Sequence, residues 1–364
     1  MAMQTVLISG ARAPIALEMA RSFSAFGYRV IMADSLKWTL ARWSNAVSKY
    51  YTLPAPNTQL SKYIQELKEI IANEKVTHFI PTCEEAFYVS MHKNEFNCTV
   101  WTADFKRMHL LHNKYNFIQF AQSYFSVPKT ISADLFSDWE NTTDYVFKPI
   151  YSRFATSVLM NKNQAHCKKV IQQPEKWIAQ ERIPGKEICV YTIWENGILK
   201  AFTAYHPLIR IGKGSGIYFE PYFEQQLYDQ IHTFGTAINY TGQLCFDFIV
   251  NESGTFVLEC NPRGTSGAHL LNKQLAHAFL ENNAVIRTSE KVFSIKAAIL
   301  LTKPFSLFTK RFHASSDVII QYNDMLPGLL QPLSLLEIIY IKFKNNTTWL
   351  GATTGDIEWN GHED

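Results

Sequence analysis

The sequence predicts a mixed α/β and α+β protein whose first lobe is a parallel, Rossmann-like sheet, and three stretches carry that expectation. TVLISGARAPIALEMARSFSAFGYRVIMADS is an apolar strand, a Gly-containing turn, an amphipathic helix and a second strand, the right-handed parallel unit of α/β sheets. KWIAQERIPGKEICVYTIWENGILKAF is a strand, a Pro184-Gly185 break, a strand of alternating pattern and an Asn196-Gly197 turn. LCFDFIVNESGTFVLECNPRGTSG, residues 244–267, sets two apolar runs around the turn signal Asn251-Glu252-Ser253-Gly254 and reads as a β-hairpin.

With 364 residues, 47% of them apolar, the chain has material for two or three lobes around a large core. A formal charge of +3, dispersed along the chain, argues against nucleic acid as a partner. Six cysteines without a C-x-x-C pair, and no signal peptide before Val6, point to free thiols in a reducing cytoplasm. No apolar run approaches the roughly 18 residues of a membrane span, so no membrane partner is expected.

In the first lobe a helix is expected from about Pro14 to Phe26, stopped by Gly27, with the next strand ending at Asp34. The turn Gly10-Ala11-Arg12-Ala13-Pro14 lacks the G-x-G-x-x-G spacing of a dinucleotide site. VTHFIPTCEEAFYVS places Thr82, Glu84 and Glu85 at the carboxyl end of a parallel strand, the side on which such sheets bind ligands. The competing account is a helix N-terminus whose dipole favours acids.

FKRMHLLHNKYNFIQFAQSYFSVPKT reads as a helix with Asn113-Lys114 near a break. His109 and His112, three apart and lacking a third ligand, read as packing or surface histidines. In DYVFKPIYSRFATSVLM an apolar strand ends in Lys148, and a lysine buried there needs an anionic partner. Gly212, Gly214 and Gly216 predict a mobile loop able to close over a ligand. Arg210 and Lys213 stand where they could stabilise a transferring phosphoryl group, or simply decorate a flexible surface loop.

The hairpin carries acids where a core strand should have none. Glu259 and Asn261 share one strand face, and Asp247 on the paired strand can join them, which gathers two carboxylates and an amide oxygen. Close carboxylates repel, and a divalent cation is the least costly remedy. Oxygen ligands with room for water and phosphate suit magnesium, with manganese as the alternative ion. Arg263, in Asn-Pro-Arg-Gly, would set a guanidinium beside it. An exposed hairpin face with ordinary charges is the other account.

Asp247 followed twelve residues later by Glu259-x-Asn261-Pro-Arg263 resembles the magnesium signature of the ATP-grasp superfamily, ATP-dependent ligases that join a carboxylate to an amine or similar nucleophile. The resemblance spans roughly residues 5–285 and is nearest to the carbamoyl-phosphate-synthase-like and carboxylate-amine ligase types. It implies an ATP-grasp fold divided into a pre-ATP-grasp lobe (1–105), a central subdomain (106–178), a large subdomain with the metal hairpin (179–290) and a C-terminal segment (291–364). It further implies Asp247, Glu259 and Asn261 as metal ligands and Arg263 on phosphate or substrate. Lys114 and Lys148 would reach the ATP phosphates, the backbone of Glu181 and Ile183 the adenine, and Glu187 the ribose hydroxyls. Glu187 could otherwise be a strand-edge charge. Arg12 and Glu84 become candidates for the non-nucleotide substrate.

One departure stands out. The loop after Lys148, Tyr151 to Ser157, has no glycine where the family has a glycine-rich phosphate loop, so Ser152, Thr156 and Ser157, with Arg153, would have to replace backbone donors. The expected activity is ligation of a small-molecule carboxylate and an amine through an acyl phosphate, releasing ADP and phosphate, with ATP and magnesium and with a homodimer as an allowed assembly. A nucleotide-binding module without catalysis, or another phosphoryl transfer on the same fold, is the alternative. The tail from residue 291 opens with a strand-like run, Phe293 to Leu301, and is expected to pack on the core or to serve oligomerisation.

Overall fold

The computed structural model describes residues 3–153, 157–212, 214–281 and 285–361. In the N-terminal lobe, β1 (Thr5–Ser9), α1 (Pro14–Ala25), β2 (Arg29–Asp34), β3 (Lys49–Thr52), α2 (Leu60–Asn73), β4 (Val76–Ile80), α3 (Glu85–Met91) and β5 (Thr99–Val100) follow one another. The sheet order is β3-β2-β1-β4-β5, with every pairing parallel. All five residues of β1 are buried, the signature of a sheet covered on both faces. Pro14 opens α1 and Gly27, at φ +89°, follows its end, as the sequence predicts. The turns after β1 and β4 lie side by side at the carboxyl edge, where Thr82 Oγ1 donates to Ser9 O (2.7 Å).

Next come α4 (Phe105–His112) and α5 (Lys114–Ala121), separated because the Asn113 side chain accepts from the Asn116 amide (3.0 Å) and caps a new helix. That cap puts Lys114 at the first helical position. β6 (Thr130–Ser132), β7 (Tyr145–Pro149), β8 (Leu159–Met160), α6 (Gln164–Val170) and β9 (Trp177–Glu181) form a small antiparallel sheet of order β6-β9-β7-β8.

The large sheet contains β10 (Lys186–Glu195), β11 (Ile198–Ile211) and β12 (Ser215–Tyr222), then, after α7 (Gln225–Ala237), the hairpin β13 (Gly242–Asn251) and β14 (Gly254–Asn261). Beyond the short α8 (Leu275–Leu280) come β15 (Ile286–Arg287), β16 (Phe293–Ser294), α9 (Lys296–Thr302), α10 (Lys310–Ala314), β17 (Ser316–Asp317), α11 (Leu326–Leu329), α12 (Gln331–Lys344) and α13 (Trp349–Thr354). The order is β14-β13-β10-β11-β12-β16-β17, with β15 on β11. On β13, Leu244, Phe246 and Phe248 are buried on one face, where Phe246 meets Phe117 of α5 and Phe234 of α7. The chain's many aromatics thus fill the core beneath the hairpin, and strand alternation turns Cys245, Asp247 and Ile249 to the other side.

The glycine stretch expected as a mobile loop is the tip of a long hairpin: β11 runs to Ile211 and β12 resumes at Ser215, paired as Ile211 with Ser215. One expectation is corrected. The run from Phe293 to Leu301 is a strand only at Phe293–Ser294 and then becomes α9. A short apolar run fits either state, and the helix-forming Lys296-Ala297-Ala298 decides this one. Among the described residues all six cysteines are free thiols, and no helix is long and apolar enough to cross a membrane.

Candidate active site

Antiparallel pairing sets Asp247 of β13 directly opposite Glu259 of β14, and Cys245 opposite Asn261, so the three expected metal ligands share one face. The register shifts between Asp247 and Phe248, which leaves Leu258 as the extra residue of a β-bulge. The freed carbonyl of Leu258 accepts from Lys148 Nζ (3.4 Å) and Gln180 Nε2 (3.5 Å). The irregularity therefore joins the hairpin to the small sheet.

Both expected lysines converge on this face. Lys114 Nζ lies 3.5 Å and Lys148 Nζ 3.8 Å from the same Glu259 oxygen, although one starts a helix and the other ends a strand of a different sheet. Lys114 also donates to the Ser152 carbonyl (3.1 Å), so Ser152 contributes its backbone oxygen here. Burial lowers Lys148 from its ordinary 10.5 to about 8, with Glu259 and Asp247 pulling against that shift. Burial also penalises the Glu259 carboxylate, but Lys114 and Lys148 outweigh it and hold the group ionised, below its usual range. Asp247 goes the other way: burial first, then Glu259 and Glu187, hold its carboxyl well above the carboxylate range.

Glu187 and Cys189 of β10 flank Asp247, because Cys189 is its register partner. One ligand atom from each of Glu187, Cys189 and Asp247 lies within 4.8 Å of the others, among the described residues. Burial and the two acids push the Cys189 thiol up, so it stays protonated unless a cation displaces the proton. Glu187, expected at the ribose, forms an ion pair with Arg210. Arg210 also donates to Gly214 O, while Lys213 lies outside the described residues. At the expected adenine edge, the Glu181 amide donates to Lys129 O (2.8 Å) and its carboxylate accepts from the Lys129 amide (3.2 Å). Ile183 is half-buried in the connection to β10.

Arg263 follows β14, where Gly264 allows contact with the N-terminal lobe: a Cβ there would meet Gln243 Oε1 at 2.8 Å and Thr82 O at 3.0 Å. Arg263 lies 3.6 Å from Glu84, and its Nε is buried without a hydrogen-bond partner among the described residues. That donor remains for a ligand.

The glycine-free loop is held through Arg153 and Glu84 by tail residues that the sequence did not single out. Arg153 pairs with Glu84 and donates to Asn360 Oδ1 (2.8 Å) and Trp359 O, with Glu358 3.5 Å away. Trp359 is fully buried, stacked on Phe87 (centroids 4.8 Å apart) and edge-on to Tyr151. Glu84 also accepts from the Trp359 amide (3.3 Å). Arg153, expected among the replacement phosphate donors, is engaged in this buried network, and Thr156 lies outside the described residues. Arg12 makes a parallel bond to the tail, pairing with Asp34 and with Asp356 (2.6 Å). His112 is buried beside Phe87 and Trp359, and burial lowers its pKa, in keeping with a packing role. The only hint in the sequence was an acid and a tryptophan in an otherwise unremarked tail.

The carboxylate face and lysines form a seam between sheets. A depression of about 430 Å³, lined by Lys93, Trp101, Glu195 and Thr241 among others, involves none of these groups. The donor set fits a divalent cation: three acids crowd one face, one of them is kept from ionising, and a cation would relieve that crowding.

Residues 111–267 match the pattern of an ATP-grasp domain. No curated protein matches the chain. Among solved structures, N5-carboxyaminoimidazole synthetase from Staphylococcus aureus superposes with a TM-score of 0.63 at 14% identity, over 84% of this chain and 87% of that one. L-amino acid ligase from Bacillus licheniformis gives 0.58 at 13% identity, over 74% and 70% of the two chains. The biotin carboxylase domain of Hydrogenobacter thermophilus 2-oxoglutarate carboxylase, solved with MgADP and bicarbonate, gives 0.59 at 12% identity over 79% and 72%. The chain therefore carries an ATP-grasp domain over residues 111–267 and has the ATP-grasp fold.

Proposed function

We propose that this protein is an ATP-dependent, ADP-forming ligase that activates a substrate carboxylate as an acyl phosphate and joins it to an amine. The observation that carries this reading is the convergence of Lys114 and Lys148 on Glu259, with Asp247 opposite. Two ammonium groups beside paired acids suit a nucleotide polyphosphate with its cation. Asp247, Glu259 and Asn261 would hold magnesium, with Glu187 and Cys189 adjoining, and the ion would neutralise phosphate charge.

The chain's own residues bind and orient. Lys114 and Lys148 hold the phosphates. Arg263, whose Nε is uncommitted, and Arg210, once it leaves Glu187, stabilise charge as the γ-phosphoryl moves to the substrate carboxylate and ADP departs. The amine nitrogen then bonds to the acyl carbon, the carbon–oxygen bond to phosphate breaks, and one proton leaves the amine. No side chain needs to act as covalent nucleophile, so the rate comes from positioning and charge.

A second reading, a nucleotide-binding module without turnover, is favoured by one observation: Arg153 of the glycine-free loop is engaged by Glu84 and the tail. Purified protein with magnesium and ATP, incubated with pools of amino acids and small carboxylic acids, separates the two. ADP formed only with a particular pair supports the ligase and identifies its substrates. Nucleotide binding by calorimetry with no ADP from any pool favours the module.

A further inference from the structure

From Lys296 to Ala314 the chain forms a helical hairpin with a satisfied inner side and an apolar tip. α9 and α10 flank a 3₁₀ turn, Pro304–Phe308, and Lys303, extended at φ −142° ahead of the proline, stops α9. On the inner side Ile299 of α9 and Phe312 of α10 are buried with Ile217 and Tyr218 of β12. The turn is held by its own bonds: the Ser306 amide donates to Lys303 O (2.9 Å), Thr309 Oγ1 donates to Ser306 O (2.7 Å), and His313 Nε2 lies 2.7 Å from Leu307 O. Beyond it, every residue from Leu301 to Arg311 except Ser306 is exposed, so the turn projects. Leu301, Phe305 and Phe308 are each 82% exposed there.

Charge sets this tip apart from an ordinary apolar patch. Residues 291–316 carry Lys291, Lys296, Lys303, Lys310 and Arg311 and no acid, although the whole chain nets only +3. Lys303 and Lys310 bracket the turn, and neither makes an ion pair among the described residues. Lys296 and Arg311 lie over the Phe312 and Tyr218 rings (4.9 and 5.9 Å), which holds them against the hairpin. We propose that the tip docks on an anionic lipid surface, with Leu301, Phe305 and Phe308 entering the headgroup boundary and Lys303 and Lys310 meeting the phosphates beside them. Apolar burial and attraction to anionic headgroups are the two forces that hold interfacial segments, and this turn supplies a group for each. Such contact needs no membrane-spanning helix. A second copy of the chain fits less well, because a two-fold contact would set the same unpaired lysines against each other. Single-stranded nucleic acid is met by cations lining a groove, whereas here they surround a projecting apolar tip.

Co-sedimentation of the full chain with vesicles of phosphatidylcholine, alone or mixed with phosphatidylglycerol, tests this independently of ATP chemistry. Wild type should pellet with the mixed vesicles at low salt and stay in solution with phosphatidylcholine alone. Its partitioning should fall at least about tenfold in ~1 M salt, where screening shortens to roughly 3 Å. Phe305→Ser with Phe308→Ser, and separately Lys303→Glu with Lys310→Glu, should each reduce partitioning at least about tenfold. Neither pair should shift the melting temperature, since all four side chains are exposed. Leu135→Glu, 71% exposed between β6 and β7, should pellet as wild type does. Wild type that stays in solution with the mixed vesicles overturns the proposal, as does pelleting that neither double variant reduces. Equal partitioning onto neutral vesicles removes the cations from the contact and overturns it too. Self-association abolished by the serine pair, with no protein pelleted by any vesicle, assigns the tip to a protein contact instead.

Discussion

The hairpin face and the Glu84 network both bury charge, and they do so in opposite ways. On the hairpin, Asp247 faces Glu259 and Glu187, and like charge together with burial keeps its carboxyl from ionising. At Glu84, one carboxylate lies between Arg153 and Arg263, while Glu358 supports Arg153 from the other side. In the first cluster Lys114 and Lys148 both pair with Glu259 and Arg210 pairs with Glu187, so Asp247 is left without an ion pair among the described residues. The second is close to balanced within the chain. A buried cluster left unbalanced is a place for a ligand, whereas a balanced one holds parts together. This difference gives the glycine-free loop a physical account: Arg153 is bonded to the tail, and under the proposed function the phosphates would be left to Lys114, Lys148 and the cation.

The contrast breaks most directly at Glu259. Glu259→Gln should lower substrate-dependent ADP formation by about 10²–10³-fold, because it removes a proposed cation ligand and the shared partner of two lysines. Turnover at the wild-type rate would remove the hairpin from the chemistry. Next in size is stability. Glu84→Gln should cost about 3–5 kcal/mol in denaturant unfolding, since it leaves Arg153 and Arg263 without their shared buried counterion. Asp247→Asn should leave stability unchanged or higher, because it removes a repelled acid, while magnesium no longer raises the melting temperature. If both variants destabilise equally, the distinction between the two clusters fails. Trp359→Ala should cost about 3–5 kcal/mol as well. Combined with Glu84→Gln it should deviate from additivity by about 0.5 kcal/mol or more, because the buried ring holds in place the Trp359 backbone that donates to Glu84.

The unbalanced cluster was legible in the sequence and the balanced one was not, for a physical reason. Asp247 and Glu259 are acids inside otherwise apolar strands, and Lys148 ends an apolar run, so each is locally anomalous. The hairpin register, the α5 cap that presents Lys114 and the first parallel unit are also local, set within a few residues by turn and capping chemistry. Arg153 and Glu84 are 69 residues apart, Arg153 and Trp359 are 206 apart, and neither arginine nor tryptophan is anomalous where it stands. Cys189 escaped notice for a similar reason, since its place beside Asp247 depends on β10 lying next to β13. The identity of α9 was lost to the ambiguity of short apolar runs.

The smallest expected effect concerns pH and Lys148. Its ammonium is lowered by burial to about 8 from an ordinary 10.5, so between those values the unfolded chain holds a proton that the folded chain has lost. Folding stability from this group therefore rises as pH increases through that window. Nucleotide affinity should move in the opposite direction. A phosphate needs the charged lysine, so binding above pH 8 requires Lys148 to regain its proton, and affinity for ADP with magnesium should fall by up to about tenfold per pH unit. Calorimetry of wild type and Lys148→Met between pH 7 and 9.5 reads this directly. The variant should bind more weakly at pH 7 and show no such fall. Equal slopes in the two proteins would assign the titrating cation elsewhere, and the convergence on Glu259 would then describe a structural ion pair of the same kind as the one at Glu84.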